Sequence, residues 1–253
     1  MLENRAFLYG EGLFVTMRIH DSRLLAKNRH FRRLKGQIEA YYLKRKLTFS
    51  EDEFLFEKFN FIESEITVEQ DEVVRLSVFA DFNVHLINRE ISLDKLHFHI
   101  QKREVVPRSK LSLKTFQNPY RSEHFPNLKM PSYMPLFALR TEAIAENFDD
   151  ILLLENDCIV EASTSNILLC QGNQLYMPKH CNYYGSSAEI ICEIFDVKKQ
   201  KISKEELTGF DCAFLLNAAN IVMDIIQIDE HKFESNSDLK NKLLEGYLQK
   251  ANE

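Results

Sequence analysis

The chain has 253 residues, 45% of them hydrophobic, enough to core one large domain or two smaller lobes. Lysine and arginine total 32 against 38 acidic residues, so a net charge of -6 gives no general attraction to nucleic acid or to an anionic membrane. Five cysteines without a CxxC pair argue against a disulfide framework or a zinc site, and are expected as reduced core residues. The opening "MLENRAFLYG" has no basic segment leading into an apolar core, and no apolar run reaches bilayer length. A soluble cytoplasmic protein acting on a small molecule is the expectation.

In chain order, "RAFLYGEGLFVTMRIHDSR" predicts a loop and then a strand from Leu13 to Ile19, entered through glycine and left through "HDS". From Leu24 to about residue 45 the period changes. Phe31, Leu34, Ile38 and Tyr41 or Tyr42 recur at spacings of three and four, which predicts an amphipathic helix with Arg33 off its apolar stripe. A second helix is predicted around Glu51 to Glu65, followed by antiparallel strands in "EVVRLSVFAD" and "KLHFHIQKREVV". Together these make a small N-terminal α/β lobe, residues 1–106. Proline signals in "VPRSK" and "FQNPYRSEHFP" predict an irregular connecting segment over 107–126.

The larger C-terminal α/β lobe, 127–253, has a helix in "SYMPLFALRTEAIAENF" that begins near Pro135. "DILLLE", "CIVEAS", "SNILLC" and "QLYMP", parted by "ND" and "QGN", predict a meander of short antiparallel strands. "SSAEIICEIF" predicts a helix with Ser186 or Ser187 as N-cap, "CAFLLNAANIV" a buried strand ending in a turn, and "NSDLKNKLLEGYLQKA" a closing amphipathic helix.

"NLKMPSY" sets Lys129 among apolar and proline neighbours, while most other lysines travel in charged company. The plain reading is a loop lysine with its charge in water. The sharper one is an amine kept neutral by desolvation so that it can form a Schiff base, most commonly with pyridoxal phosphate. That cofactor also needs a carboxylate facing its pyridine nitrogen and donors for its phosphate. Glu161 in "VEASTSN" ends an apolar strand and is followed by small polar residues able to hydrogen-bond around it. "YGSSAEIICE" puts Ser186 and Ser187 at a helix N-terminus, where free N–H groups attract an anion. "LNAAN" is a second small-residue turn, and Arg33 could pair with phosphate bidentately. His97 and His99 share one side of a strand without a third metal ligand, and Ser163 and Ser165 lack nucleophile-elbow glycines.

The order "RAFLYGEGLF", "RHFRRL", "LKMPSY", "DDILLLENDCIVEASTSNILL", "GSSAEI", "LLNAAN" resembles the class IV pyridoxal-phosphate enzymes over nearly the whole chain. That family includes branched-chain and D-amino-acid aminotransferases and 4-amino-4-deoxychorismate lyase. The resemblance implies a two-lobed fold-type IV architecture, α/β (α+β), with antiparallel-rich mixed sheets, flanking helices and the cofactor between the lobes of a homodimer subunit. By position it implies that Lys129 holds pyridoxal phosphate covalently, Glu161 pairs with the pyridine nitrogen, and Arg33 binds phosphate with the backbone amides of Ser186, Ser187 and Ala218. Tyr133 matches a frequent family tyrosine near the cofactor's phenolic oxygen. The pattern departs from the family at Val15, Ala80 and Ala188, where a glutamate and two arginines are common. "LLNAAN" looks more like the lyases than the aminotransferases, so a lyase of the folate pathway is the leading expectation. An aminotransferase acting on D-amino or branched-chain amino acids is the alternative, and a non-catalytic member retaining the fold is the third.

Overall fold

Apolar and polar side chains alternate after the first glycines, and the result is a strand, β1 (Leu13–His20), with a buried and a half-exposed face. The computed structural model describes residues 5–66, 71–80, 91–120, 129 and 131–252. Residues 121–126 of the expected connecting segment lie outside the described residues. A short helix, α1 (Arg5–Tyr9), stands where a loop was expected.

The chain forms two compact units. The first runs to Val105 and takes in Lys129, Pro131 and Ser132. In it β1 is joined by β2 (Arg23–Leu24), β3 (Glu72–Ala80) and β4 (Leu96–Glu104) in an antiparallel sheet of order β2-β1-β3-β4. Leu13, Val15, Met17 and Ile19 share one face with Leu76, Val78 and Ala80, and that face is covered by Leu34, Ile38, Leu55, Phe59 and Ile62. Those residues come from α2 (Lys27–Ile38) and α3 (Phe49–Ser64). The predicted 24–45 helix is shorter because Arg23 and Leu24 pair with β1, and its last turn widens into a π-turn over Glu39–Leu43. Across the other face of the sheet, Phe14 lies opposite Ser77 and Thr16 opposite Arg75.

The second unit begins at Val106 and contains the described residues from Tyr133 to Ala251. Its first strand, β5 (Leu111–Gln117), corrects the expectation of an irregular connector: Leu111 and Leu113 are buried, and the strand lies parallel to both neighbours in the large sheet. A parallel partner from far along the chain gives no local sequence signal. Helix α4 (Met134–Ala145) follows, with proline in its first turn as expected. Then come β6 (Asp150–Glu155), β7 (Cys158–Ala162), β8 (Asn166–Gln171) and β9 (Gln174–Pro178). The expected meander is split, since β6 pairs with β7 and β8 with β9, but β7 and β8 are not sheet neighbours. After α5 (Ser186–Ile194) come β10 (Val197–Gln200), β11 (Cys212–Asn217), β12 (Ile221–Ile228), β13 (His231–Lys232) and α6 (Ser237–Ala251). The sheet order is β10-β9-β8-β11-β12-β5-β6-β7, with β13 on β12.

The large sheet is buried on both faces along β6, β8 and β11, whose side chains are almost continuously apolar. None of the cysteines is in a disulfide; Cys170 and Cys212 are fully buried, and the other three are half-exposed rather than core residues. No helix among the described residues is long and apolar enough to cross a membrane.

Candidate active site

In the first unit the "YGEG" segment lets Lys129 come close to β1. Gly10 sits at φ 65°, and a Cβ there would meet Ser132 Oγ at 2.8 Å, while Ser132 Oγ donates to Gly10 O at 2.7 Å. A Cβ on Gly12 would lie 3.0 Å from Val78 O and 3.3 Å from Pro131 Cγ. The Phe14 N–H then donates to Lys129 O at 3.1 Å, extending the strand pairing to the lysine itself. Lys129 Nζ stands 5.3 Å from the Phe14 ring centre, and the Arg75 guanidinium is 3.7 Å from the same centre. The half-buried lysine is thus held by an aromatic ring and an apolar strand rather than extended into water.

Arg33 is half-buried, one turn along α2 from His30. His30 is 3% exposed, and burial, followed by the positive charges of Arg33, Lys129 and Arg29, pushes its imidazole down to about 3. Lys129 and Arg33 therefore both project their charge onto one buried neutral ring. This concentration of cations suits an anionic ligand.

In the second unit the organising element is the turn between β7 and β8. Glu161, 9% exposed, accepts at Oε2 from the Tyr183 N–H at 3.2 Å. The serines that follow it face elsewhere: Ser163 Oγ donates to buried Asp150, and Ser165 Oγ accepts from Asn217 Nδ2 at 2.9 Å. Asn166 donates from Nδ2 to Tyr183 O at 2.9 Å and accepts at Oδ1 from the Gly185 N–H at 2.8 Å.

Gly185, not a serine, is the N-cap of α5, so Ser186 and Ser187 lie inside its first turn. This corrects the expected cap. It also leaves the Ser187 hydroxyl, in a residue 1% exposed, without a hydrogen-bond partner among the described residues. The second small-residue turn is built by Asn217, whose Oδ1 accepts from the N–H groups of Ala219 and Asn220 at 3.0 and 2.8 Å and passes over Ala218. Ile221, which ends this turn, is held at φ 61°, a strained conformation for a β-branched residue, costing about 1–2 kcal/mol.

Lys129 and Arg33 thus lie in the first unit, and Glu161, Ser186, Ser187 and Ala218 in the second. Tyr133 is in the second unit as well, capping α4 with its ring 6.0 Å from that of Phe137. Val15, Ala80 and Ala188 are all fully buried, so the charged residues common in the resembled family would be desolvated here. His97 stacks on Phe79, its cross-strand neighbour, at 5.6 Å. His30 and Phe14 in the first unit, and Tyr183 in the second, support candidate residues without having been singled out by the sequence. The "HFRR" spacing could have flagged His30; Tyr183 acts through its backbone, which residue type does not reveal.

The sequence model of the class IV aminotransferases matches residues 12–228. No curated protein matches the chain. Among solved structures, one described as a candidate 4-amino-4-deoxychorismate lyase from Legionella pneumophila is 20% identical with a TM-score of 0.82, covering 99% of this chain and 94% of that one. A branched-chain aminotransferase from Thermoproteus uzoniensis, with norvaline, is 18% identical with a TM-score of 0.83, covering 98% of this chain and 87% of that one. An aminotransferase from Brucella abortus bound to pyridoxal phosphate is 17% identical with a TM-score of 0.84, covering 100% and 93%. At these identities the likeness is one of fold, that of the fold-type IV enzymes. With the sequence match spanning both units, the chain belongs to the class IV aminotransferase family, whose members are pyridoxal-phosphate-dependent enzymes.

Proposed function

We propose that this chain is a pyridoxal-phosphate-dependent lyase that splits 4-amino-4-deoxychorismate into pyruvate and 4-aminobenzoate, a step of folate synthesis. The observation that carries the reading is the turn after β11, where Asn217 holds Ala219 and Asn220 with its carboxamide oxygen and reaches Ser165 with its nitrogen. The aminotransferases resembled by this sequence more often use Thr-Gly-Thr or Ser-Ser-Thr there.

The residues present fit the cofactor. Ser187 Oγ is a buried donor without a partner among the described residues, at a helix N-terminus, a position that a phosphate oxygen would satisfy. The cations around His30 add positive potential in the first unit. When bound, pyridoxal phosphate supplies an electron sink for the pair left behind when a proton leaves the substrate.

Lys129 would hold the cofactor, and its side-chain amine would serve as the group that moves protons. The reaction needs no water, oxidant or second substrate: one proton leaves a ring carbon, the carbon–oxygen bond to the pyruvyl group breaks as the ring becomes aromatic, and one proton returns to the pyruvyl carbon. Glu161, its Oε2 fixed by the Tyr183 N–H, would pair with the pyridine nitrogen. By the family resemblance, Arg33 and the amides of Ser186, Ser187 and Ala218 would take the phosphate, and Tyr133 would serve the phenolic oxygen. A homodimer in the cytoplasm belongs to the same reading.

The test is to supply 4-amino-4-deoxychorismate to the cofactor-loaded protein and follow pyruvate and 4-aminobenzoate, which should appear in equal amounts. In parallel, D-amino and branched-chain amino acids are added and the spectrum of pyridoxamine phosphate is sought. If only the amino acids react, an aminotransferase replaces the lyase.

A further inference from the structure

One carboxamide grips both sides of the short segment ahead of α5. Asn166 takes the carbonyl of Tyr183 and the N–H of Gly185, while the N–H of Tyr183 goes to Glu161. Asn166 is 4% exposed and is anchored as the first residue of β8, opposite Leu216 of β11. The fit is tight, since a Cβ on Gly185 would lie 3.0 Å from Asn166 Oδ1. The turn that carries both Glu161 and Asn166 is closed by the Ala162 N–H on Ser165 O at 2.8 Å. The carboxylate and the start of α5 are therefore referred to one rigid frame.

We propose that Asn166 is a positioning residue, whose side chain fixes residues 183–185 so that the Glu161 carboxylate and the first amides of α5 address one bound cofactor at a set spacing. The proposal rests on the pyridoxal-phosphate reading above. The position needs a donor and an acceptor at the same time, on a short stem. Aspartate keeps the acceptor for Gly185 but sets a second oxygen against the Tyr183 carbonyl, and alanine leaves both backbone groups unmatched.

The experiment uses the full chain carrying Asn166→Asp or Asn166→Ala, with melting temperature as the check on folding. Three quantities are compared with wild type: hydrogen exchange of peptides spanning 183–185 in cofactor-free protein, affinity for pyridoxal phosphate and for unphosphorylated pyridoxal, and the pH midpoint of the visible absorbance of the loaded protein. The expected result is exchange faster by about ten-fold, pyridoxal phosphate binding weaker by about 10- to 100-fold, and a reduced preference for the phosphorylated form. The absorbance midpoint should move by about half a pH unit or more, because Glu161 loses its fixed amide. Variants that melt earlier but keep wild-type exchange, affinity and midpoint would overturn the proposal, since Asn166 would then be structural only. Wild-type protein that binds no pyridoxal phosphate would overturn the cofactor reading and this proposal with it. That outcome is distinct from failure of the proposal alone, where wild type and variants bind the cofactor equally well.

Discussion

The two units support their candidate catalytic groups in different ways. In the first, Lys129 and Arg75 share the Phe14 ring, and Lys129 and Arg33 act on a buried imidazole, so position comes from strand pairing, ring packing and the close approach that glycine allows. In the second, Glu161 and the small-residue turns are tied by a chain of directed hydrogen bonds through Asn166, Ser165 and Asn217. Packing tolerates loss of a charged tip and punishes added volume, whereas a carboxamide network tolerates little chemical change of any kind. The two sides should therefore fail differently, and a graded set of variants can test that contrast.

The largest effect is expected at Lys129. Lys129→Ala removes the reacting amine but keeps the backbone carbonyl that accepts from Phe14, so folding should be nearly unchanged. Turnover of whichever substrate proves correct should fall by at least about 10³-fold, with loss of covalent cofactor by mass spectrometry. A variant that also unfolds would show that the lysine's tip, and not only its backbone, supports the first unit.

His30 comes next. Its folded value of about 3 lies below the ordinary value of 6.5, so between these limits only the unfolded chain takes up the proton. The stability due to the neutral ring is complete above about pH 6.5 and is lost as the pH falls, by about 2 kcal/mol at pH 5. Denaturant unfolding at pH 7 and pH 5 should show this slope in wild type and a flatter one in His30→Gln. Equal slopes would remove His30 from the account of how the first unit excludes charge.

A smaller effect is expected at Gly12. Gly12→Ala places a methyl group 3.0 Å from Val78 O and 3.3 Å from Pro131, next to the lysine segment. The strain should cost about 1–2 kcal/mol in unfolding experiments and weaken cofactor binding, because it pushes apart the elements that seat Lys129.

These three positions also mark what the sequence could tell. The glycines of "YGEG" and the alternation of β1 are local patterns, and β1 formed as they implied. The strand β5 was hidden because proline-rich flanks read as a connector and its partners, β6 and β12, lie far along the chain. The polar run after Glu161 suggested that its own serines would bind the acid, yet Ser163 faces Asp150 and Ser165 faces Asn217. Which donor reaches which acceptor depends on how turns distant in sequence converge, and residue type alone does not carry that. The exchange of Ser186 for Gly185 as N-cap has the same origin, since Asn166 claims the Gly185 amide from another strand.

The smallest expected effect sharpens the comparison from outside both supports. Thr48 and Glu51 form a capping box at the start of α3, with the Thr48 N–H donating to Glu51 Oε2 at 2.8 Å. The bidentate Arg45 pair, at 2.8 and 2.7 Å, and the bonds from Thr48 hold the Glu51 carboxyl at about 2 despite some opposing desolvation. Thr48→Ala removes the hydroxyl but keeps the backbone donor and the arginine, so the carboxyl should rise only part of the way to its ordinary value in an NMR titration. Unfolding experiments should show a loss of about 1 kcal/mol. Cofactor affinity should not change, because α3 covers the buried face of the sheet while Phe14 and Arg75 lie on the other. If capping α3 did alter that affinity, the lysine and its aromatic seat would be set by the stability of the whole unit rather than by the local packing of β1.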